Sequence, residues 1–263
     1  MNAPAMIIHA VRYQNKVFLR NPFSAFFSLA FPTMFLLLFG TLFGRQPVEG
    51  LDGVPIAQFL TPSIVVFAVV STSFINLCTV VAISRDEGIL KRIRGTPMPP
   101  SVYLGSRVGS SVWFSLIAAA IQVAAGILLF GVRIVWPLAP AALVTLLLGI
   151  SCFCALGLAL AAVIPNGEAA PAVANFTAMP ILFVSGVFFP LDGAPRWLQW
   201  VGNAFPVKHF NDALVDDFDP TTVGAGFDWA HLAVLALWTV AGAIVAMRFF
   251  KWEPRGAVRP RRR

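Results

Sequence analysis

The chain has 263 residues, of which 58% are hydrophobic and only 12% are charged. Soluble domains carry about 25% charged residues, so this composition excludes an ordinary soluble enzyme and indicates a membrane protein. The formal net charge of +7 does not predict nucleic-acid binding, because no basic stripe lies on a segment that could fold as a soluble domain.

Residues 1–21 are expected to form an amphipathic helix. Its apolar residues recur at helical spacing on one side: Ile7, Ile8, Val11, Phe18 and Leu19. Its charged residues and histidine lie opposite: His9, Arg12, Lys16 and Arg20. Such a helix lies in the membrane interface with its basic side towards lipid headgroups.

Six apolar segments follow, each suited to one crossing of a bilayer core of about 30 Å. Their expected bounds are 23–44, 58–83, 108–131, 136–164, 173–189 and 230–250. The fold class is therefore an all-α membrane protein whose six-span transmembrane domain covers residues 22–250. Residues 251–263 form a basic tail.

The distribution of basic residues predicts the orientation. They collect in the amino-terminal helix, in the connection between the second and third spans, and in the carboxy-terminal tail. Loops rich in Lys and Arg stay in the cytoplasm, so both termini of this multi-pass protein are expected to be cytoplasmic.

The polar residues within the spans narrow the mechanism. The central parts of the predicted spans contain no Asp, Glu, Lys or Arg, although ion-coupled transporters usually carry such residues at mid-membrane. The polar side chains there are Asn76, Gln122 and Asn175. Hydrogen bonding between helices is the favoured interpretation of all three, with substrate contact as the alternative.

No catalytic, cofactor-binding or metal-binding residues are predicted. His9, His209 and His231 lie near the expected membrane surfaces without a ligand cluster, and the three cysteines fall in apolar stretches. The sequence also lacks the G-x-x-x-x-G-K-[ST] loop that cradles ATP phosphates. The chain is therefore not expected to be an enzyme, and energy from a nucleotide must come from another chain.

The connection between the second and third spans shows signs of a short helix. Ser84 and Glu87 have the spacing of a capping box, which predicts a helix start there. Glu87 and Lys91 have the spacing of an ion pair, and Gly95 with Pro97 would end the helix. The pattern fits either a solvated loop or a helix that docks on a cytoplasmic protein.

Two groups of motifs resemble the permeases of type-2 ATP-binding-cassette (ABC) exporters. The first comprises Glu87, Gly88, Leu90 and Arg92, then Thr96-Pro97 and Tyr103-Leu-Gly-x-Arg107. The second comprises Ser185-Gly186, Pro190-Leu, Trp197-Leu198, Asn203-x-x-Pro206 and Asp212-Ala-Leu214. Between six predicted spans, this order of motifs covers nearly the whole chain.

The resemblance implies a half-transporter in a bacterial plasma membrane. Two permeases, identical or related, would enclose a path, and two ATPase subunits would bind ATP and Mg beneath them. The amino-terminal helix would connect at the membrane interface. The ATPase-docking residues, in a coupling helix, would be Arg85, Asp86, Glu87, Gly88, Leu90, Lys91, Arg92, Arg94, Thr96 and Pro97. The turn Pro165–Glu168 would be a lesser contact or, preferably, a tight turn only.

Short re-entrant helices are implied between the fifth and sixth spans, with Trp197, Trp200 and Pro206 in that segment. The candidates for an outer gate, Phe188, Phe189 and Pro190, could instead pack against lipid. The acidic residues nearby are interpreted as a solvated outer rim rather than a metal site: Asp212, Asp216, Asp217 and Asp219.

The leading hypothesis is therefore the export of an amphiphilic or lipophilic compound, such as a drug, lipid or secondary metabolite. A polysaccharide or glycolipid exporter is the alternative within the family. A channel or secondary transporter without an ATPase partner, and a membrane scaffold that transports nothing, are the alternatives outside it.

Overall fold

The computed structural model describes residues 3–20, 22, 26–47, 54–95, 100–189, 194–222 and 224–250. These ranges are helical and contain no β-strand beyond an isolated bridge between Pro47 and Pro55. The helices are α1 Ala3–Arg20, α2 Phe31–Leu42, α3 Ala57–Val70, α4 Leu77–Asp86, α5 Ile89–Arg94, α6 Pro100–Phe130, α7 Ala139–Val163, α8 Ala170–Val184, α9 Arg196–Ala204, α10 Pro206–Asp216 and α11 Trp229–Phe249. Two π-helical segments, Phe26–Ala30 and Ser71–Asn76, continue into α2 and join α3 to α4.

Four helical stretches among the described residues are long and apolar enough to cross a membrane. They are Ala57–Asp86, Val102–Phe130, Trp136–Val163 and Trp229–Phe249, at the places expected for the second, third, fourth and sixth spans. Two further apolar helices, Ser28–Leu42 and Ala170–Val184, are shorter. The tail and the start of the expected first span lie outside the described residues.

The helix at the place of the expected fifth span ends before the expected bound. The structure ends α8 at Val184, five residues before the predicted bound. The cause is Gly186, whose φ of 79° is in the left-handed region. A helix cannot continue through that conformation, so the chain turns at Ser185–Gly186.

Helices α1 and α2 run alongside α6 in the same direction. The Phe18 and Phe114 rings are 4.0 Å apart between centroids, and further along Gln122 donates to the Thr33 hydroxyl at 2.8 Å. The latter bond confirms the interhelical interpretation of Gln122. Whether α1 lies in a membrane interface stays a prediction.

The side of α1 that contacts α6 includes Ile7, Val11 and Phe18 of the predicted apolar side but not its other two residues. Gln14 and Phe18 are buried, whereas Ile8 and Leu19 are 58% and 63% exposed. Val11 rests on Gly109 of α6, where a missing side chain lets the helices approach closely. The contact therefore follows the small residues of α6, which the periodicity of α1 alone could not show.

The continuous α3–α4 rod is antiparallel to α6. Thr61 lies over Gly126, and the Thr72 and Ser115 hydroxyls are 2.6 Å apart. We call the two ends of the bundle the Phe188 end and the Arg85 end.

The predicted capping box at Ser84 is wrong. Helix α4 passes through Ser84 and ends at Asp86, and the buried Ser84 hydroxyl accepts from Arg107 at 3.4 Å. The helix continues because Glu87 N–H still bonds to Ile83 C=O at 2.9 Å. No Glu87–Lys91 ion pair forms among the described residues.

Helix α7 lies at the centre of the packing. Its Gly157 meets the backbone carbonyls of the second π segment, and its Gly149 meets the Phe210 ring of α10. Glycines in membrane helices permit such close contacts between backbones and rings. At the Phe188 end, the Gln58 amide donates to the carbonyls of Arg133 and Phe218 at 2.8 and 2.7 Å, which joins three connections.

Candidate functional site

The connection between α4 and α5 bends at Gly88. Its φ is 70°, a conformation that costs about 1–2 kcal/mol for a residue with a side chain. Arg92 N–H bonds to Gly88 C=O at 3.0 Å, so α5 starts directly after the bend. The bend therefore gives α5 an axis different from that of the apolar rod.

The predicted docking residues separate into an exposed group and a buried group. Glu87, Lys91 and Arg92 are exposed, whereas Leu90 and Arg85 are 0% and 1% exposed. The Arg94 side chain, Thr96 and Pro97 lie outside the described residues. The exposed group is available to a partner, and any effect of Arg85 or Leu90 on docking would be indirect.

Arg85 binds the carboxy-terminal end of α7. Its Nη1 donates to the Ala161 carbonyl at 2.8 Å and its Nη2 to the Ile164 carbonyl at 2.7 Å. The last carbonyls of a helix have no partner within the helix and carry its partial negative charge. A buried guanidinium with two such bonds thus stabilises the end of α7 and fixes α4 to it.

Asp86 makes the second link between the same elements. Its carboxylate accepts a hydrogen bond from Gly167 N–H in the α7–α8 turn and lies 3.4 Å from Arg85 Nε. A Cβ at Gly167 would lie 2.8 Å from the Ile83 Cα, so only glycine lets the turn approach α4 this closely.

We call these five residues the loop clamp: Arg85, Asp86, Ala161, Ile164 and Gly167. The clamp joins the α4–α5 connection to the end of α7 and the α7–α8 turn through three hydrogen bonds and one ion pair. Motif resemblance had placed Arg85 on the docking surface. The signal for its buried role is an Arg-Asp pair that directly ends a long apolar helix, opposite an Asn-Gly turn.

The second π segment contains hydroxyl residues that bond to its own backbone. Thr72 and Ser73 donate to carbonyls of the preceding turn, at 2.9 Å for Ala68 and 2.6 Å for Val69. Ser111 of α6 donates to the Thr72 carbonyl at 3.0 Å. Such bonds satisfy backbone groups that a π turn frees, and π turns are frequent at functional sites.

A cavity of about 400 Å³ lies between the first π segment with α2, the second π segment with α4, and α8. Phe31, Phe67 and Met179 form apolar walls, with Asn76 and Asn175 among the polar lining groups. The interhelical interpretation is wrong for Asn175 and stays a prediction for Asn76. Asn175 bonds within its own helix at 2.8 Å, and both side chains line the cavity.

Aromatic rings close the cavity region towards the Phe188 end. Phe188 is 9% exposed, and its ring centroid lies 5.6 Å from that of Phe35 and 5.2 Å from that of Phe67. Phe189 is 57% exposed. Pro190 lies outside the described residues, and the gating role of the three residues stays a prediction.

Two short helices, α9 and α10, occupy the segment expected to be re-entrant. Trp197 and Trp200 of α9 are 64% and 74% exposed. Pro206 is buried and begins α10, a position where its missing N–H costs nothing. Helix α10 packs Phe210 on α7, but the depth of both helices in a membrane stays a prediction.

Asp217 is not part of a solvated rim. It is 2% exposed, and only one of its carboxylate oxygens has a partner, the Thr145 hydroxyl at 3.0 Å. Burial raises the pKa of Asp217 to about 7, against the lowering effect of the Thr145 hydrogen bond. Asp212 is half-exposed and pairs with Lys208 at 2.5 Å.

The same end brings two histidines together. The Nδ1 atoms of His209 and His231 are 2.7 Å apart, a contact that the sequence separation of 22 residues concealed. Among the described residues, no group of three or more His, Cys, Asp or Glu side chains is arranged to hold a metal ion.

Comparison with known proteins identifies relatives across most of the chain. The family described as "ABC-2 type transporter" matches residues 7–218. A putative transport permease, ycf38 of Cyanophora paradoxa, is 30% identical over 200 residues, which is 72% of this chain and 66% of the relative.

Two further relatives carry permease names. The daunorubicin resistance ABC transporter permease protein DrrB1 of Streptomyces coeruleorubidus is 29% identical over 68% of this chain and 62% of its own length. The inner membrane transport permease YadH of Escherichia coli K12 is 20% identical over 67% of this chain and 68% of its own length. The chain thus spans 66% and 62% of the lengths of the first two relatives.

Proposed function

Because this chain belongs to the ABC-2 type transporter permease family, we propose that it is the membrane-spanning subunit of an ATP-driven exporter. Family members are multi-pass membrane subunits, generally non-catalytic, and normally work with an ATP-binding subunit. The absence of a P-loop from the sequence agrees with ATP and Mg binding on that partner.

The proposed topology has six crossings with both termini in the cytoplasm of a bacterial cell. The four long apolar helices and the two shorter ones supply the crossings. Helix α6 runs parallel to α2 and antiparallel to the α3–α4 rod, as alternate crossings require. The Arg85 end would face the cytoplasm, because its connections and the tail carry most of the basic residues.

The proposed ATPase contact is the exposed surface of the α4–α5 connection. Glu87, Lys91 and Arg92 present charges there, with Arg94, Thr96 and Pro97 next in sequence. The loop clamp is the observation that carries the proposal. A movement of this connection by the ATPase would be transmitted to α7 and to the turn before α8, because Arg85 and Asp86 bond to them directly.

The proposed path is the cavity of about 400 Å³, completed by a second permease, identical or related. Its aromatic and thioether walls with a few amides and hydroxyls suit an amphiphilic or lipophilic substrate such as a drug, lipid or secondary metabolite. The name of the DrrB1 relative, which refers to daunorubicin resistance, supports a drug. Export of a polysaccharide or glycolipid is the second candidate within the family.

The test is reconstitution with an ATP-binding subunit of an ABC transporter from the same organism. The complex in liposomes should move a lipophilic dye or anthracycline only with ATP, and the substrate should stimulate ATP hydrolysis. If the chain moved the dye at the same rate without ATP or partner, a channel or secondary transporter would replace the proposal.

Docking has its own test with matched variants. Glu87→Ala combined with Arg92→Ala should abolish co-purification of the ATP-binding protein. Arg133→Ala combined with Arg196→Ala removes two exposed charges at the opposite end and should leave co-purification unchanged. Equal losses from both pairs would contradict docking at the α4–α5 connection.

A further inference from the structure

A small polar pocket lies between α1, the second π segment with α4, and α6. Its volume is about 80 Å³, room for several water-sized groups. Polar side chains reach it from three elements: Gln14 from α1, Asn76 from the π segment, and Arg107 from α6.

Gln14 has a buried side-chain atom without a hydrogen bond, and a group bound in the pocket could form that bond. The side chain is 8% exposed, and its amide oxygen is buried without a hydrogen bond. The oxygen and nitrogen of a glutamine amide exchange places by a simple flip. In either orientation a buried polar atom of Gln14 faces an unfilled position, which costs stability unless a ligand or water occupies it.

Arg107 brings a positive charge that no carboxylate of the described residues balances. Its Nε donates to the Tyr103 hydroxyl at 3.0 Å and its Nη2 to Ser84 at 3.4 Å. The ion pairs among the described residues do not include Arg107, and no Asp or Glu lines the pocket. An unbalanced guanidinium beside the amides of Gln14 and Asn76 offers donors to an anion.

The other residues that line the pocket indicate which kind of molecule carries the anionic group. Val17, Phe18 and Phe114 form an apolar side next to the polar groups. Ser110 and Ser111 already donate their protons to Asn15 at 2.6 Å and to the Thr72 carbonyl at 3.0 Å, so their oxygens can only accept. The pocket therefore offers donors to a phosphate, acceptors to a hydroxyl and an apolar wall to a hydrocarbon chain. A phosphodiester headgroup with its attached chain has all three of these parts.

We propose that this pocket binds a phosphate group, supplied by a phospholipid headgroup or by a free phosphate ester, through Arg107, Gln14 and Asn76. Bound there, the phosphate joins α1 to the apolar rod and to α6. Asn76 also lines the cavity of about 400 Å³, so the phosphate site lies directly behind the wall of the proposed path.

The experiment is a binding titration of the full chain in a non-ionic detergent after removal of co-purified lipid. The probes are dihexanoyl-phosphatidylglycerol, inorganic phosphate and the uncharged dihexanoyl-glycerol, and thermal stabilisation as a function of probe concentration gives each Kd. Phosphatidylglycerol should bind, and Arg107→Gln should weaken it about tenfold or more, as expected for lost bonds from a charged donor.

Gln14→Leu should weaken the binding of phosphatidylglycerol several-fold. If Arg107→Gln does not fold, the Kd of Gln14→Leu tests the proposal in its place. Arg12→Gln, which removes an exposed charge from α1, should change the Kd less than twofold. Binding of phosphatidylglycerol alone identifies a lipid, and equal binding of inorganic phosphate identifies a free phosphate ester; both support the site.

No binding, equal binding of dihexanoyl-glycerol, or an equal effect of Arg12→Gln would overturn the proposal. The assay uses neither ATP nor a transported substrate, so its failure would leave the proposed export function untouched.

Discussion

Replacement of Arg85 by methionine tests the loop clamp directly. Methionine can fill the buried volume but cannot donate to the Ala161 and Ile164 carbonyls, which lie 2.8 and 2.7 Å from the guanidinium. Hydrogen bonds from a charged donor contribute about 1.5–3 kcal/mol each. Loss of both should therefore lower the free energy of unfolding by about 3–6 kcal/mol, which corresponds to roughly 10–20 °C in Tm for a chain of this size.

The cysteines provide the assay. Cys78, Cys152 and Cys154 are all buried, so a thiol-reactive fluorogenic dye should report unfolding as they become accessible. Arg85→Lys, which keeps the charge but not the forked geometry, should give an intermediate Tm. Arg92→Met is the matched control, because the Arg92 side chain is exposed and its loss should shift Tm by less than about 1 °C.

A second measurement separates transmission from stability. In the reconstituted complex below its Tm, Arg85→Met should reduce the stimulation of ATP hydrolysis by substrate more than the basal rate. A wild-type Tm for Arg85→Met would refute the energetic reasoning. Unchanged stimulation together with a lowered Tm would refute the role of the clamp in coupling.

Three more predictions concern single positions. Gly167→Ala should lower the free energy of unfolding by about 2 kcal/mol, measured by the same dye, because its Cβ would meet the α4 backbone at 2.8 Å. The pKa of Asp217 is raised to about 7, above about 3.9 in an unfolded chain. The folded state then holds an extra proton between these values, so Tm should fall as pH rises from about 4 to 7. Asp217→Asn should remove that decline and Asp219→Asn should keep it. Phe188→Ala should cost about 3 kcal/mol through an unfilled cavity, whereas loss of the exposed ring in Phe189→Ala should cost under about 1 kcal/mol; equal Tm values would contradict the packing.

The sequence predicted the long apolar helices because their signal is a continuous run of residues. The apolar helices at the places of the second, fourth and sixth expected spans begin and end within three residues of the expected bounds. The π turn at Ser71–Asn76 could not be predicted, because a π turn leaves hydrophobicity unchanged and alters only the phase of the helix. The end of α8 was predicted late because the turn depends on one backbone dihedral, at Gly186.

The sequence predicted where the candidate docking connection lies, but it did not predict which of the charged side chains are buried. Local motifs located the α4–α5 connection, and the exposure of Glu87 and Arg92 agrees with a docking surface. Arg85 and Asp217 are buried by contacts with α7. Their partners there are distant in the sequence, 76 residues away for Ala161 and 72 residues away for Thr145. Charge alone therefore suggested solvent for both side chains, and only tertiary packing decides otherwise.

The π turn at Ser71–Asn76 in the α3–α4 rod also sets the position of the loop clamp around the axis of that rod. One residue more or less in a helix turns everything beyond it by about 100° and moves it by 1.5 Å along the axis. Deletion of a single residue from Ser71–Asn76 would thus point Arg85 away from the end of α7 while leaving both halves of the rod apolar. The extra residue of the π turn thus fixes the angle about the rod axis between the residues that line the cavity and the residues of the clamp. Both sets can meet their partners only when the rod has this number of residues.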